Sequence, residues 1–282
     1  VSTVSNTKLI AEIGINANGD VDMAKELIDI AAISGCYGVK FQKRDIDFLY
    51  TQEELDKYLE SPWGATVGDY KRAREFGLRE YKEIDKYCKY KGIAWFATPW
   101  DVNSVEFLSQ FDIPYIKVAS ASLTDKVLLK KIKGTGKKVI LSTGMSSIDE
   151  LNAALEIFGD TVEYILSCTS SYPTPVKDVN LKRLSTLKDM YGDKYKIGYS
   201  NHYAGIIFIV AAYLLGAEML EYHITLDRSM YGTDQASSIE PPGCLKIGKY
   251  VETLQNGMGS GSVGCLESEI PIRKKLRKDL DK

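Results

Sequence analysis

Residues 196–223 read KIGYSNHYAGIIFIVAAYLLGAEMLEYH. A short run, Lys196–Tyr199, leads into Ser200 and His202; an uncharged apolar stretch follows, and a second run, Met219–His223, ends on another histidine. Runs that are apolar on both faces suit strands buried on both sides, and a helix between two of them makes a parallel crossover unit. The unit recurs. Leu9–Ile13, Gly38–Gln42, Ile93–Ala97, Tyr115–Ala119, Val139–Ser142 and Tyr164–Cys168 are further runs, each followed by helical periodicity. Eight such units close a (β/α)8 TIM barrel, and 282 residues suit one such α/β domain, which uses about 250. Met23, Leu27, Ile30 and Ala31 make one helix face; Val105, Leu108 and Phe111 make another behind Asp101 as N-cap; Leu151, Ala154, Leu155 and Phe158 repeat it behind Asp149. A doubly wound open sheet is the rival, but Gly14 and Gly19 do not form the G-x-G-x-x-G phosphate turn that it would carry.

The whole chain narrows the function classes. A hydrophobic content of 44%, charged content of 26% and formal charge of -2 describe a globular protein without the single-sign field that nucleic acid or an anionic membrane would need. No segment approaches the roughly 18 apolar residues of a membrane span, and no targeting segment is evident at the N-terminus. Five cysteines without a C-x-x-C pair argue against a disulfide framework and a zinc knuckle, so reduced thiols in a cytoplasm are expected. Small-molecule substrates are the expected partners, with homo-oligomerisation left open.

One connection is anomalous: Lys43 to Leu78 follows the second strand and far exceeds the usual βα loop of about 2–6 residues. A helix around Glu53–Glu60 is expected inside it. Because βα loops open onto the catalytic face of a barrel, the segment reads either as an ornamental insertion or as a lid over substrate.

His202 and His223 are the only histidines, and each falls at the C-terminal end of a predicted strand, one βα repeat apart. Adjacent strand ends lie close together at the barrel mouth, so the two imidazoles reach one ion and leave positions open for water and substrate oxygens, as a Lewis-acid site requires. Two unrelated histidines are the bland alternative. Glu12 and Glu221 are the nearest strand-end carboxylates; Glu221 shares a face with His223 and serves either a ligand or proton role or a salt bridge inside the barrel. Lys40 and Lys117 stand within apolar strands, where an unpaired ammonium is costly, and need an anionic partner. That partner is a barrel carboxylate or a substrate anion, and a Schiff-base lysine is a further reading. Thr98, Ser120, Ser142, Thr143, Ser170 and Ser200 also end strands and, with the lysines, make a ring suited to a phosphate and a carboxylate.

Seven ordered motifs then carry a resemblance: AEIGINANG (11–19), VKFQ (39–42), ATPWD (97–101), LSTGM (141–145), SYPTP (171–175), GYSNH (198–202) and EYHITLDR (221–228). Together they resemble the sialic acid synthases, the phosphoenolpyruvate-dependent synthases of N-acetylneuraminate and related nonulosonates. The resemblance implies His202 and His223 as ligands of Mn2+ or Mg2+, and Lys40, Thr98, Lys117, Ser120, Ser142, Ser170 and Ser200 around phosphoenolpyruvate. It places Glu12, Gln42 and Tyr172 near the sugar, and Glu12, Glu221 and Asp234 as catalytic residues. It implies condensation of phosphoenolpyruvate with an open-chain N-acetylhexosamine-type aldose. A 3-deoxy-octulosonate or heptulosonate synthase, and a non-catalytic sugar-binding barrel, are the alternatives. The sequence departs from the family's pattern at Ala17, at Ser170 or Ser171, at Asn201 and at Tyr222. With Lys282 ending the chain, the family's C-terminal antifreeze-like domain, which supplies an arginine near the sugar, is expected to be absent; Arg72 or Arg74 of the long loop is expected to replace that arginine.

Overall fold

The computed structural model describes residues 7–278. Eight parallel strands close a barrel in sequential order: β1 (Lys8–Gly14), β2 (Gly38–Lys43), β3 (Ala94–Pro99), β4 (Tyr115–Val118), β5 (Lys138–Ser142), β6 (Val162–Ser167), β7 (Lys196–Asn201) and β8 (Met219–His223). Each is followed by a helix: α1 (Val21–Ile33), α2 (Leu78–Lys91), α3 (Val102–Leu108), α4 (Lys126–Lys133), α5 (Ile148–Phe158), α6 (Arg183–Tyr191), α7 (Ile207–Leu214) and α8 (Pro241–Gly257). All eight expected strands are present, with ends displaced by at most two residues.

Alternation along the strands explains the sequence pattern. In β2, Val39 and Phe41 face the helix layer, where Phe41 packs edge-on against Phe76, Tyr81 and Trp95; Lys40 and Gln42 face the barrel axis. The helices dock apolar stripes onto the strands, and each fully buried Leu or Ile there contributes about 1.5–3 kcal/mol over leaving it exposed. In α1 the buried face is Ala24, Leu27, Ile28 and Ala31. Of the expected Met23 and Ile30, Ile30 packs partly buried against the core, and Asp20 caps the helix by accepting from the Asp22 and Met23 N–H. Asp101 caps α3 as expected, whereas α5 is capped by Ser147, in a capping box with Glu150, rather than by Asp149.

The β2–α2 connection is folded. Short helices Ile46–Leu49 and Gln52–Leu55 precede a hairpin, Tyr58–Ser61 with Gly64–Thr66, and a further helix, Val67–Arg72. The expected helix over Glu53–Glu60 therefore stops at Leu55, since Tyr58–Ser61 pairs as a strand instead. The hairpin is pinned to the segment after β8: the Trp63, Tyr70 and Tyr231 ring centroids lie 5.7–5.8 Å apart, and Tyr231 Oη donates to the Glu60 carbonyl at 3.0 Å. The β1–α1 turn closes on the same wall; a Cβ on Gly19 (φ +75°) would lie 1.9 Å from the Ala73 carbonyl oxygen. Among the described residues no helix is long and apolar enough to cross a membrane.

Candidate active site

The C-terminal ends of the strands and the β2–α2 connection enclose a cleft of about 410 Å3. Most side chains expected to serve the site border it: Glu12, Lys40, Gln42, Thr98, Lys117, Ser120, Ser142, Ser170, Tyr172, Ser200, His202, Glu221, His223 and Asp234. Thr143 does not. It follows an inward-facing Ser142, so it faces outward, and its Oγ1 donates to the Leu166 carbonyl at 3.1 Å.

Strand register brings the charges together. Glu12 pairs with Lys40 across β1–β2 and with His223 across β1–β8, and Glu221 lies opposite Ser200 across β8–β7. Lys40 Nζ is 2.8 Å from Glu12 Oε2 and 3.8 Å from Glu221 Oε1, and it donates to Thr98 Oγ1 at 3.2 Å. Gln42 Nε2 donates to the other Glu12 oxygen at 2.8 Å. Lys117 Nζ donates to Ser142 Oγ at 2.6 Å, with Glu221 its nearest carboxylate at 3.9 Å. Ser200 Oγ donates to Glu221 at 3.0 Å.

The two lysines titrate in opposite directions. Burial disfavours both ammonium ions, but at Lys40 the fields of Glu12 and Glu221 outweigh it and hold the group above the ordinary lysine value. At Lys117 burial wins, and neighbouring Lys40 adds to it, so the group is held below. Burial pushes the Glu221 carboxyl up, yet Lys117, Lys40 and the histidines overcome that and bring it to about 2.

Beyond Lys117 the rim is rich in hydroxyls. The Gly144 N–H donates to Ser120 Oγ at 2.9 Å, Ser120 Oγ lies 3.2 Å from Cys168 Sγ, and Ser170 Oγ is buried without a partner. Only glycine lets these groups converge, since a Cβ on residue 144 would stand 2.1 Å from Ser170 Oγ and 2.8 Å from Ser120 Oγ.

On the other side the two histidine rings lie 5.5 Å apart, with Tyr172 stacked 4.3 Å from His202. His202 Nδ1 donates to the Thr169 carbonyl at 2.7 Å, which fixes the tautomer and leaves Nε2 free; burial and the His223 field hold the ring at about 3, hence neutral. His223 Nδ1 is buried without a hydrogen-bond partner, 3.6 Å from Asp234 Oδ2. No group of three or more His, Cys, Asp or Glu among the described residues is arranged to hold a metal by itself. The protein thus offers two imidazoles, one with an orphaned nitrogen, and leaves the remaining coordination positions to other oxygens.

Residues not foreseen also border the cleft, among them Arg44, Tyr70, Trp100 and Met145. Arg44 and Trp100 stand two residues beyond Gln42 and Thr98, so period-two alternation, carried past the strand ends, was the signal that would have found them. Of the two expected arginines, Arg74 borders the cleft; Arg72 is outside it, paired with Asp47.

Comparison with known proteins agrees with this geometry. Residues 27–263 match the NeuB family. The human N-acetylneuraminate-9-phosphate synthase is 36% identical over 96% of this chain and 77% of its own. The N,N'-diacetyllegionaminic acid synthase of Campylobacter jejuni is 36% identical over 99% of this chain and 87% of its own. The crystal structure of the N-acetylneuraminic acid synthetase from Leptospira borgpetersenii serovar Hardjo-bovis, in complex with citrate, superposes with a TM-score of 0.81 at 31% identity, covering 97% of this chain and 93% of that one. The chain belongs to the NeuB family.

Proposed function

We propose that this chain condenses phosphoenolpyruvate with the aldehyde of an open-chain N-acetylhexosamine-type sugar, giving a nonulosonate and inorganic phosphate. The observation that carries the reading is Lys117: a buried ammonium beside Ser142 with, among the described residues, no carboxylate closer than 3.9 Å. A buried cation so weakly neutralised is stabilised by a bound anion. Lys117, Ser120, Ser142 and Ser170 hold the phosphate or carboxylate of phosphoenolpyruvate, and Lys40, Thr98 and Ser200 hold its other side.

The family is generally metal-dependent. His202 and His223 would hold a divalent ion, manganese or magnesium, which when bound supplies Lewis acidity toward the sugar aldehyde oxygen. The residues do the rest. Gln42 and Tyr172 position the sugar; Glu12 fixes Lys40 and Gln42 at once; Asp234 stands next to His223 on the open side of the cleft. The methylene carbon of phosphoenolpyruvate forms the new bond to the aldehyde carbon, and the aldehyde oxygen takes a proton. Water adds at the cationic carbon left behind, with Glu221 and Glu12 providing negative charge beside it. Loss of the phosphate with its bridging oxygen then leaves the keto acid.

Phosphate release should require phosphoenolpyruvate, an N-acetylhexosamine from a panel of epimers and manganese, with chelator abolishing it. Mass spectrometry should find the sugar extended by three carbons. Phosphate release without an extended product, or a borohydride-trapped adduct on Lys40 or Lys117, would overturn the reading.

A further inference from the structure

Both candidate metal ligands are anchored through their backbone, but only one through its ring. The Ile239 N–H donates to the His223 carbonyl at 2.8 Å, and the Thr174 N–H donates to the His202 carbonyl at 2.9 Å. His223 Nδ1 is buried without a hydrogen-bond partner among the described residues, whereas His202 Nδ1 donates to the Thr169 carbonyl at 2.7 Å. An imidazole held in this way points its other nitrogen in one direction, so whatever places the Thr169 carbonyl places the ligand.

That carbonyl lies beyond the end of β6 at Ser167, in a loop where no strand pairing holds it. Thr174 does. In Pro173-Thr174-Pro175 only the threonine has an N–H to give, and the following proline biases it toward an extended backbone. The residue is 4% exposed. Its Oγ1 lies 2.9 Å from the Ser171 carbonyl oxygen and 3.3 Å from that of Thr169, two acceptors within reach of one hydroxyl proton. Thr174 thus ties the loop to β7 twice over: its N–H takes the His202 backbone, and its hydroxyl holds the turn that carries the acceptor of the His202 ring. Thr169 Oγ1 closes the loop's far side on the Asp178 carbonyl at 2.8 Å. Ser170 and Tyr172, which border the cleft, stand inside this closure.

We propose that Thr174 is a positioning residue, whose buried hydroxyl sets the Thr169 carbonyl and through it the direction of His202 Nε2. The role toward a bound ion rests on the condensation proposed above; the hydrogen bonds do not.

His202 and His223 are the only imidazoles of the chain, so nitrogen-15 histidine labelling gives a spectrum of two rings, assigned with His223→Ala. Without metal or substrate, wild type should show a slowly exchanging Nδ1 proton on His202. Thr174→Val, close to threonine in shape but without the hydroxyl, should lose that signal and leave the His223 ring unmoved. It should also weaken manganese binding, read by electron paramagnetic resonance, by about 10-fold, the low end of the roughly 10–100-fold of an outer-shell change, with Thr174→Ser within about 3-fold of wild type. Thr174→Ser should keep the His202 signal as well. Thr143→Ala, which forfeits a buried hydroxyl bond outside the cleft, should change neither readout, and so separates positioning from general loosening. If Thr174→Val does not fold, Thr174→Ala against Thr174→Ser reads the same hydroxyl. An unchanged His202 signal on loss of the hydroxyl, the same losses in Thr143→Ala, or no rescue by Thr174→Ser would overturn the assignment. A His202 signal that depends on Thr174 in a protein that takes up no manganese would sink the metal reading and leave the positioning role standing.

Discussion

On the rim half built from β1, β2 and β8, Lys40 stands 2.8 Å from one carboxylate and 3.8 Å from another; on the half built from β4, β5 and β6, Lys117 meets Ser142 and no carboxylate nearer than 3.9 Å. Both ammonium ions come from apolar strands and both are buried. The first has a carboxylate in direct contact, whereas the second has a hydroxyl in contact and a carboxylate only at 3.9 Å. One closed barrel therefore presents a balanced acid-and-base side, beside the histidines, and a hydroxyl-lined cationic side.

The sharpest way to break this contrast is to remove each charge. Lys40→Met leaves Glu12 and Glu221 buried with less compensation and should destabilise the protein by about 3–5 kcal/mol, read from chemical denaturation. Lys117→Met removes a cation that burial disfavours but also a partner of Glu221, so it should destabilise clearly less than Lys40→Met, while the Michaelis constant for phosphoenolpyruvate rises about 100-fold. Similar loss of stability in both variants would erase the difference between the halves.

A smaller effect separates two neighbouring hydroxyls of the cationic half. Ser170 Oγ has no partner to lose, so Ser170→Ala should leave stability within about 0.5 kcal/mol and weaken phosphoenolpyruvate about 10-fold. Thr143→Ala should do the opposite: it forfeits a buried bond to the Leu166 carbonyl, costing about 1 kcal/mol, and leaves the kinetics alone. If Thr143→Ala changes phosphoenolpyruvate binding and Ser170→Ala does not, the hydroxyl ring is drawn wrongly.

Much of this was legible in the residues because a strand buried on both faces tolerates few polar side chains. Lys40, Lys117, Glu12 and Glu221 break apolar runs, and period-two alternation sends them to one axis. The same alternation separates Ser142 from Thr143 and extends to Arg44 and Trp100; those misses came from stopping the pattern at the strand end. The β2–α2 connection was different in kind. Nothing periodic marks Tyr58–Ser61 as a strand, because its partner is three residues long and its anchor, Tyr231, lies far along the chain. The choice between Arg72 and Arg74 likewise depended on which side of that fold each guanidinium reached.

The division of the rim is tested most directly by binding alone. Manganese affinity from electron paramagnetic resonance and phosphoenolpyruvate affinity from calorimetry, each without the other ligand, would be measured in wild type, His202→Ala and Lys117→Met. His202→Ala should weaken manganese by more than the roughly 10–100-fold of an outer-shell change while phosphoenolpyruvate stays within about 3-fold, and Lys117→Met should do the reverse. Loss of both ligands together in either variant, or of neither in both, would contradict it.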